Sequence, residues 1–115
     1  MRHSQKTKEL GRKRNQRKAL ISTLAVSLIR DGKIKTTETK AKVLRPMVER
    51  LVTKAKAGDV AALRFITTKV GVTSAKTLVS TIAPKYKDRK GGYTRITKLN
   101  DRLSDGAKIA QIEFV

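Results

Sequence analysis

The chain has 115 residues, of which 28 are Lys or Arg and 9 are Asp or Glu, a formal net charge of +19 at pH 7. That length fits one domain, and a compact monomer so charged repels itself, so the composition calls for a neutralising polyanion, nucleic acid first and an anionic membrane surface second. The absence of cysteine excludes disulfides, thiolate metal sites and a cysteine nucleophile, while one histidine and no tryptophan leave little material for an active site.

Residues 1–15 are polar and basic without periodicity. Such a segment cannot offset its ordering entropy alone, so it is expected to be a basic arm that orders on binding, followed by a single compact α/β domain over residues 16–115. The apolar-leaning stretch at residues 19–29 imitates a signal peptide, yet the chain continues as Arg30-Asp31-Gly32-Lys33, not as the small residues of a cleavage site. Leu20, Ile21, Leu24, Ala25 and Leu28 share one helical face, which predicts an amphipathic core helix capped by Asn15, reaching Arg30 and stopped by Asp31-Gly32. The longest apolar run is four residues, 60–63, against the ~20 needed to span a bilayer. A cytoplasmic protein, or a mature one of an organelle matrix, is expected.

Residues 33–37 read as a short strand with Ile34 inward. Thr37 is placed to cap a second helix reaching Ala57, whose apolar positions Ala41, Leu44, Val48, Leu51, Val52 and Ala55 follow helical spacing, with a kink expected at Pro46. Gly58 ends it. Asp59 caps a third helix over residues 60–70 with Leu63, Ile66 and Val70 inward, and Gly71 terminates that one. A fourth helix is predicted from Thr73 or Ser74 through Ala83, with Leu78, Val79 and Ile82 buried and Pro84 as its stop. A basic loop covers residues 85–92, and two strands at 93–99 and 108–115 flank the loop 100–107, with Ala110, Ile112 and Phe114 alternating with Gln111 and Glu113. The order predicts an α+β fold: a two-layer α/β domain, a small three-stranded mixed sheet covered by about four helices, with a basic extended N-terminal arm.

Two clusters carry the chemistry. In the first, Arg2, Lys6, Lys8, Arg12, Lys13, Arg14, Arg17 and Lys18 alternate with Ser4, Gln5, Thr7, Asn15 and Gln16, and residues 1–18 hold a net +7. Cationic groups meet phosphate oxygens, and hydroxyls and amides reach sugars and base edges. A solvated or nuclear-localisation-like run is the plain alternative. Arg17 and Lys18 argue against it, because they fall at a helix start, where the dipole disfavours cations unless a phosphate docks there.

The second cluster spans Lys85, Lys87, Arg89, Lys90, Gly91, Gly92, Tyr93 and Arg95, and residues 85–102 carry +5. Arg89, Lys90 and Arg95 read as phosphate contacts, and the paired glycines as backbone that approaches a sugar-phosphate chain or takes positive φ. Tyr86 or Tyr93 either stacks on an unpaired base or packs in the body. Lys33, Lys35, Lys40 and Lys42 form a third basic group, for the most part a solvated face. His3 has no companion ligands, so no metal is expected; it can stack on RNA, donate to RNA, or have no particular role.

No catalytic residues, cofactor or small-molecule substrate are expected. The nine acids are scattered, and the one near pair, Asp101 and Asp105, fits a loop bend. Helices three and four around Gly71-Val72 have helix-turn-helix spacing, but helix four offers Lys76 alone among charged residues, so core packing accounts for it better. A DNA-binding architectural protein is the second reading and a small nucleic-acid enzyme a distant third.

The chain resembles the bacterial-type large-subunit ribosomal protein L-seventeen family. The matching residues begin with Met1-Arg2-His3, Leu10-Gly11-Arg12 and Arg17-Lys18-Ala19, and continue with Ser27-Leu28-Ile29, Ile34-Lys35-Thr36-Thr37, Ala41-Lys42 and Leu44-Arg45-Pro46. The most specific are Ile82-Ala83-Pro84, Asp88-Arg89, Gly91-Gly92-Tyr93-Thr94-Arg95-Ile96, Lys98-Leu99, Asp105-Gly106-Ala107 and Ile112-Glu113. Gln16 stands where the family often has His, and Lys90 where it often has Pro. The resemblance implies a non-catalytic ribonucleoprotein constituent of the large subunit that supports translation, in the cytoplasm or on an organellar ribosome. It implies binding to large-subunit rRNA through the arm and the basic loop, with neighbouring large-subunit ribosomal proteins in contact and no membrane partner. Members sit on the solvent side near the peptide exit region.

Overall fold

The computed structural model describes residues 13–115. Helix α1 (Arg14–Asp31) starts one residue before Asn15, which therefore lies inside the first turn. Lys13 takes the cap position in extended conformation and offers no side-chain bond; its carbonyl accepts from Arg17 N–H at 2.8 Å. Ile21, Ala25, Leu28 and Ile29 are buried, with Leu24 packed at the margin, and Gly32 closes the helix at φ 80°, its N–H bonded to the Leu28 carbonyl.

Strand β1 (Lys33–Thr37) leads directly into α2 (Glu38–Ala57), and the Thr37 hydroxyl accepts from Lys40 N–H at 3.3 Å. All six expected apolar positions of α2 are buried, and the helix continues through Pro46 as one element. Gly58 ends it at φ 70°, a left-handed conformation that glycine adopts without strain.

Helix α3 (Val60–Val70) is capped by Asp59, whose Oδ1 accepts from Ala62 N–H at 2.7 Å. Its inward row is Ala62, Ile66 and Val70; Leu63, expected inside, is 38 % exposed. The two positions are neighbours on the helix, and the one turned inward is the smaller residue, Ala62. Replacing the cap, Asp59→Ala, is expected to lower stability by about 1 kcal/mol, read as a lower denaturant midpoint with an unchanged m value.

The fourth helix departs from expectation. Regular α4 covers only Val72–Thr77; the chain then widens into a π-helical turn (Leu78–Ile82) and tightens into a 3-10 turn (Ala83–Tyr86). Pro84 is the physical reason: in a regular helix its ring would strike the Ser80 carbonyl, and it has no N–H to give. Widening the turn moves that carbonyl away while Leu78 and Ile82 stay buried.

Strands β2 (Thr94–Lys98) and β3 (Ile109–Phe114) complete a sheet of order β1-β3-β2. Both ladders are antiparallel, where a mixed sheet was expected: β1 and β2 run in the same direction but β3 separates them, so no parallel ladder forms. Ile34, Ile112 and Ile96 stand in register on the face turned to the helices, and the opposite face carries the row Lys33, Glu113 and Arg95. The core lies between that sheet and the helices, α2 in contact with every strand.

Candidate nucleic-acid interface

The basic loop after the 3-10 turn is built on α2. Glu49 and Lys56 stand seven residues apart, two turns along one side of that helix. The Glu49 carboxylate accepts from Thr94 N–H at 3.2 Å and from the Thr94 hydroxyl at 3.0 Å, fixing the start of β2. The Lys56 ammonium donates to the Arg89 carbonyl and, at 3.1 Å, to the Tyr93 hydroxyl, and it lies 5.2 Å from the centre of the Tyr93 ring. Tyr93 in turn donates to the Arg89 carbonyl at 3.1 Å. Both ends of the segment holding the two glycines are thus tied to one helix.

Tyr93 is 2 % exposed and Tyr86 3 %, their ring centres 5.2 Å apart and tilted by 56°. Both aromatic rings therefore pack in the body, and the face that stacking on a base requires is occupied. The Tyr86 hydroxyl donates to the Val115 carbonyl at 2.6 Å, and burial pushes this phenol above its ordinary pKa. The hydroxyl of Thr53 and the ammonium of Lys56 hold the Tyr93 phenol below its ordinary pKa.

With its backbone so anchored, the loop turns its cations outward. Lys85, Lys87, Arg89 and Lys90 are all exposed, and the first three line an open depression with Pro84, Tyr86 and Asp88. Gly91 and Gly92 take φ of 142° and 62°, and a Cβ on either would meet open space, so the glycines serve conformation and leave the backbone accessible. Arg95 is held by Glu113 across the ladder at 3.0 Å, which partly neutralises it. Lys35 is exposed on β1, opposite Gln111.

At the start of α1, Lys13, Arg14 and Lys18 are exposed and Arg17 is half-buried, with no acid in the first turn. Free amides and cations converge there, the arrangement expected around a bound phosphate. No hydrogen bond or ion pair among the described residues joins this group to the loop. The expected contacts Arg2, His3, Lys6, Lys8 and Arg12 lie outside the described residues. Among the described residues no three His, Cys, Asp or Glu side chains converge as a metal site would require, and no helix is long and apolar enough to cross a membrane.

Nothing in the sequence singles out Glu49 and Lys56. The available signal was two opposite charges at i and i+7 beside the buried row of α2, a pattern equally compatible with solvent. Lys56→Met keeps the helix but removes the tie to the loop. Loss of a charge-assisted bond is expected to speed amide exchange over residues 90–94 about fivefold or more, read by hydrogen–deuterium exchange, with the helices unaffected.

Residues 20–115 match the family described as Ribosomal protein L17. The chain is 50 % identical over 116 residues to a protein of Akkermansia muciniphila named large ribosomal subunit protein bL17, covering 100 % of this chain and 85 % of that one. Proteins of the same name from Methylacidiphilum infernorum and Persephonella marina are 49 % and 51 % identical; the alignments cover 99 % and 100 % of this chain and 88 % and 95 % of theirs.

Proposed function

The chain belongs to the ribosomal protein L17 family, one of non-catalytic structural proteins, and from that premise we propose that it is a constituent of the large ribosomal subunit that binds large-subunit rRNA through its basic arm and Gly-Gly loop. The observation that carries the reading is the loop: its backbone is bonded to Glu49 and Lys56 of α2, while Lys85, Lys87, Arg89 and Lys90 remain exposed. Cations on a fixed frame meet phosphates with little ordering cost, so they can recognise the shape of a folded RNA rather than its sequence. Arg14, Arg17 and Lys18 at the start of α1 supply a second anchor, and the preceding residues extend it along the RNA. Neutralisation lets phosphate-dense RNA segments approach one another. Neighbouring large-subunit proteins complete the surroundings, and the protein resides where its ribosome does, in the cytoplasm or an organelle.

Co-sedimentation with large-subunit particles at moderate salt tests this reading. The protein is expected in the large-subunit fraction; recovery on the chromosome instead would sink it.

A further inference from the structure

One exposed aromatic ring stands on α3 between two cations. Six large apolar side chains are exposed among the described residues, and four of them, Val60, Leu63, Phe65 and Val72, lie on α3 or just beyond its end. They do not share one face: Val60 and Leu63 stand on one side of the buried row of α3 and Phe65 on the other. Phe65 is 41 % exposed, on a face it shares with Ala61 and Thr68. The charge around it has one sign. Lys54 Nζ, from the last turn of α2, is 5.4 Å from the ring centre and Lys69 Nζ is 5.6 Å from it. Helix α3 contains no acidic residue, and neither lysine pairs with a carboxylate among the described residues.

That chemistry selects an anionic occupant with a flat apolar surface. A second copy of a +19 chain would be repelled. A membrane would need a broad apolar face, and here one ring is hemmed in by two ammonium groups. An unpaired nucleotide meets both demands, since its base has a π-face and its two flanking phosphates are anionic.

We propose that Phe65, Lys54 and Lys69 form a third RNA contact, in which an unpaired rRNA base stacks on the Phe65 ring and the two lysines take its flanking phosphates. The inference rests on the rRNA-binding reading and adds a separate site to it. Cation–π contacts at exposed rings are weak, so the lysines can swing from the ring to phosphate when a base arrives. The ring sits on a capped helix packed on the core, so it is presented without an ordering penalty.

The chain has no tryptophan, so Phe65→Trp places a single reporter at the site. With protein-free large-subunit rRNA added to saturation, its emission is expected to be quenched and shielded from acrylamide. Phe65→Ala is expected to weaken rRNA binding about tenfold with an unchanged melting curve. Lys54→Gln with Lys69→Gln is expected to lower the slope of log affinity against log salt by about 1.4. Emission that is unchanged at saturation, or quenched only when large-subunit proteins are added, would overturn the proposal, the latter result marking a protein interface. Wild-type binding is measured in parallel: if the wild type binds and the reporter is silent, only this inference falls, and if the wild type does not bind rRNA, the functional reading falls with it.

Discussion

Removal of residues 1–12 is expected to weaken binding to large-subunit rRNA about a hundredfold near physiological salt and to reduce the salt slope by about 3. The segment holds Arg2, Lys6, Lys8 and Arg12, and each cation that displaces a counterion from phosphate contributes about 0.7 to 0.9 to that slope. The truncated chain should stay folded, because α1 begins at Arg14 and its first buried side chain is Ile21. Melting curves of the two forms are therefore expected to coincide while their salt titrations diverge. Equal slopes would remove the arm from the binding account.

The largest effect on stability is expected from Tyr93→Ala, a loss of about 3–5 kcal/mol measured by denaturant unfolding. Tyr93 is among the largest fully enclosed side chains and packs on Tyr86 between α2 and the sheet. Since a domain's whole stability is about 5–15 kcal/mol, the variant should lose a large share of it and unfold at a much lower denaturant concentration. Tyr93→Phe separates packing from bonding. It keeps the ring, frees the Lys56 and Arg89 ties, and should cost about 1 kcal/mol, with most of the change in loop exchange rather than in global unfolding. A neutral Tyr93→Ala would mean that the ring is not part of the core.

Elements bounded by strong local chemistry were legible in the sequence. Thr37, Gly58 and Asp59 perform the capping their types predict, and the buried row of α2 follows its spacing throughout. Where local signals compete with packing, the sequence was ambiguous. The spacing on α3 admits Leu63 or Ala62 as the inward residue, and in the fold it is Ala62 that is buried. Pro84 announces a helix end but not the π-helical turn that accommodates its ring. The direction of the ladders depends on which strand lies in the middle, a long-range choice that alternating residues do not encode. At the site the exposed cations of the loop were legible as charge. The tyrosines were not assignable, because an aromatic beside Gly-Gly suits a base or a core equally, and only burial decides.

The strand order has a consequence for synthesis. β3, the last strand to be made, is the middle one, and both β1 and β2 pair with it alone. Until residues 109–114 emerge, β1 has waited some seventy residues of elongation with neither edge satisfied, and β2 about ten. The helices can gather early, but the sheet closes in a single late step that joins distant parts of the chain. During that interval a nascent chain of this charge presents open strand edges to the polyanion-rich surroundings of its own translation. Whatever holds it there until closure shields those edges from pairing with another chain.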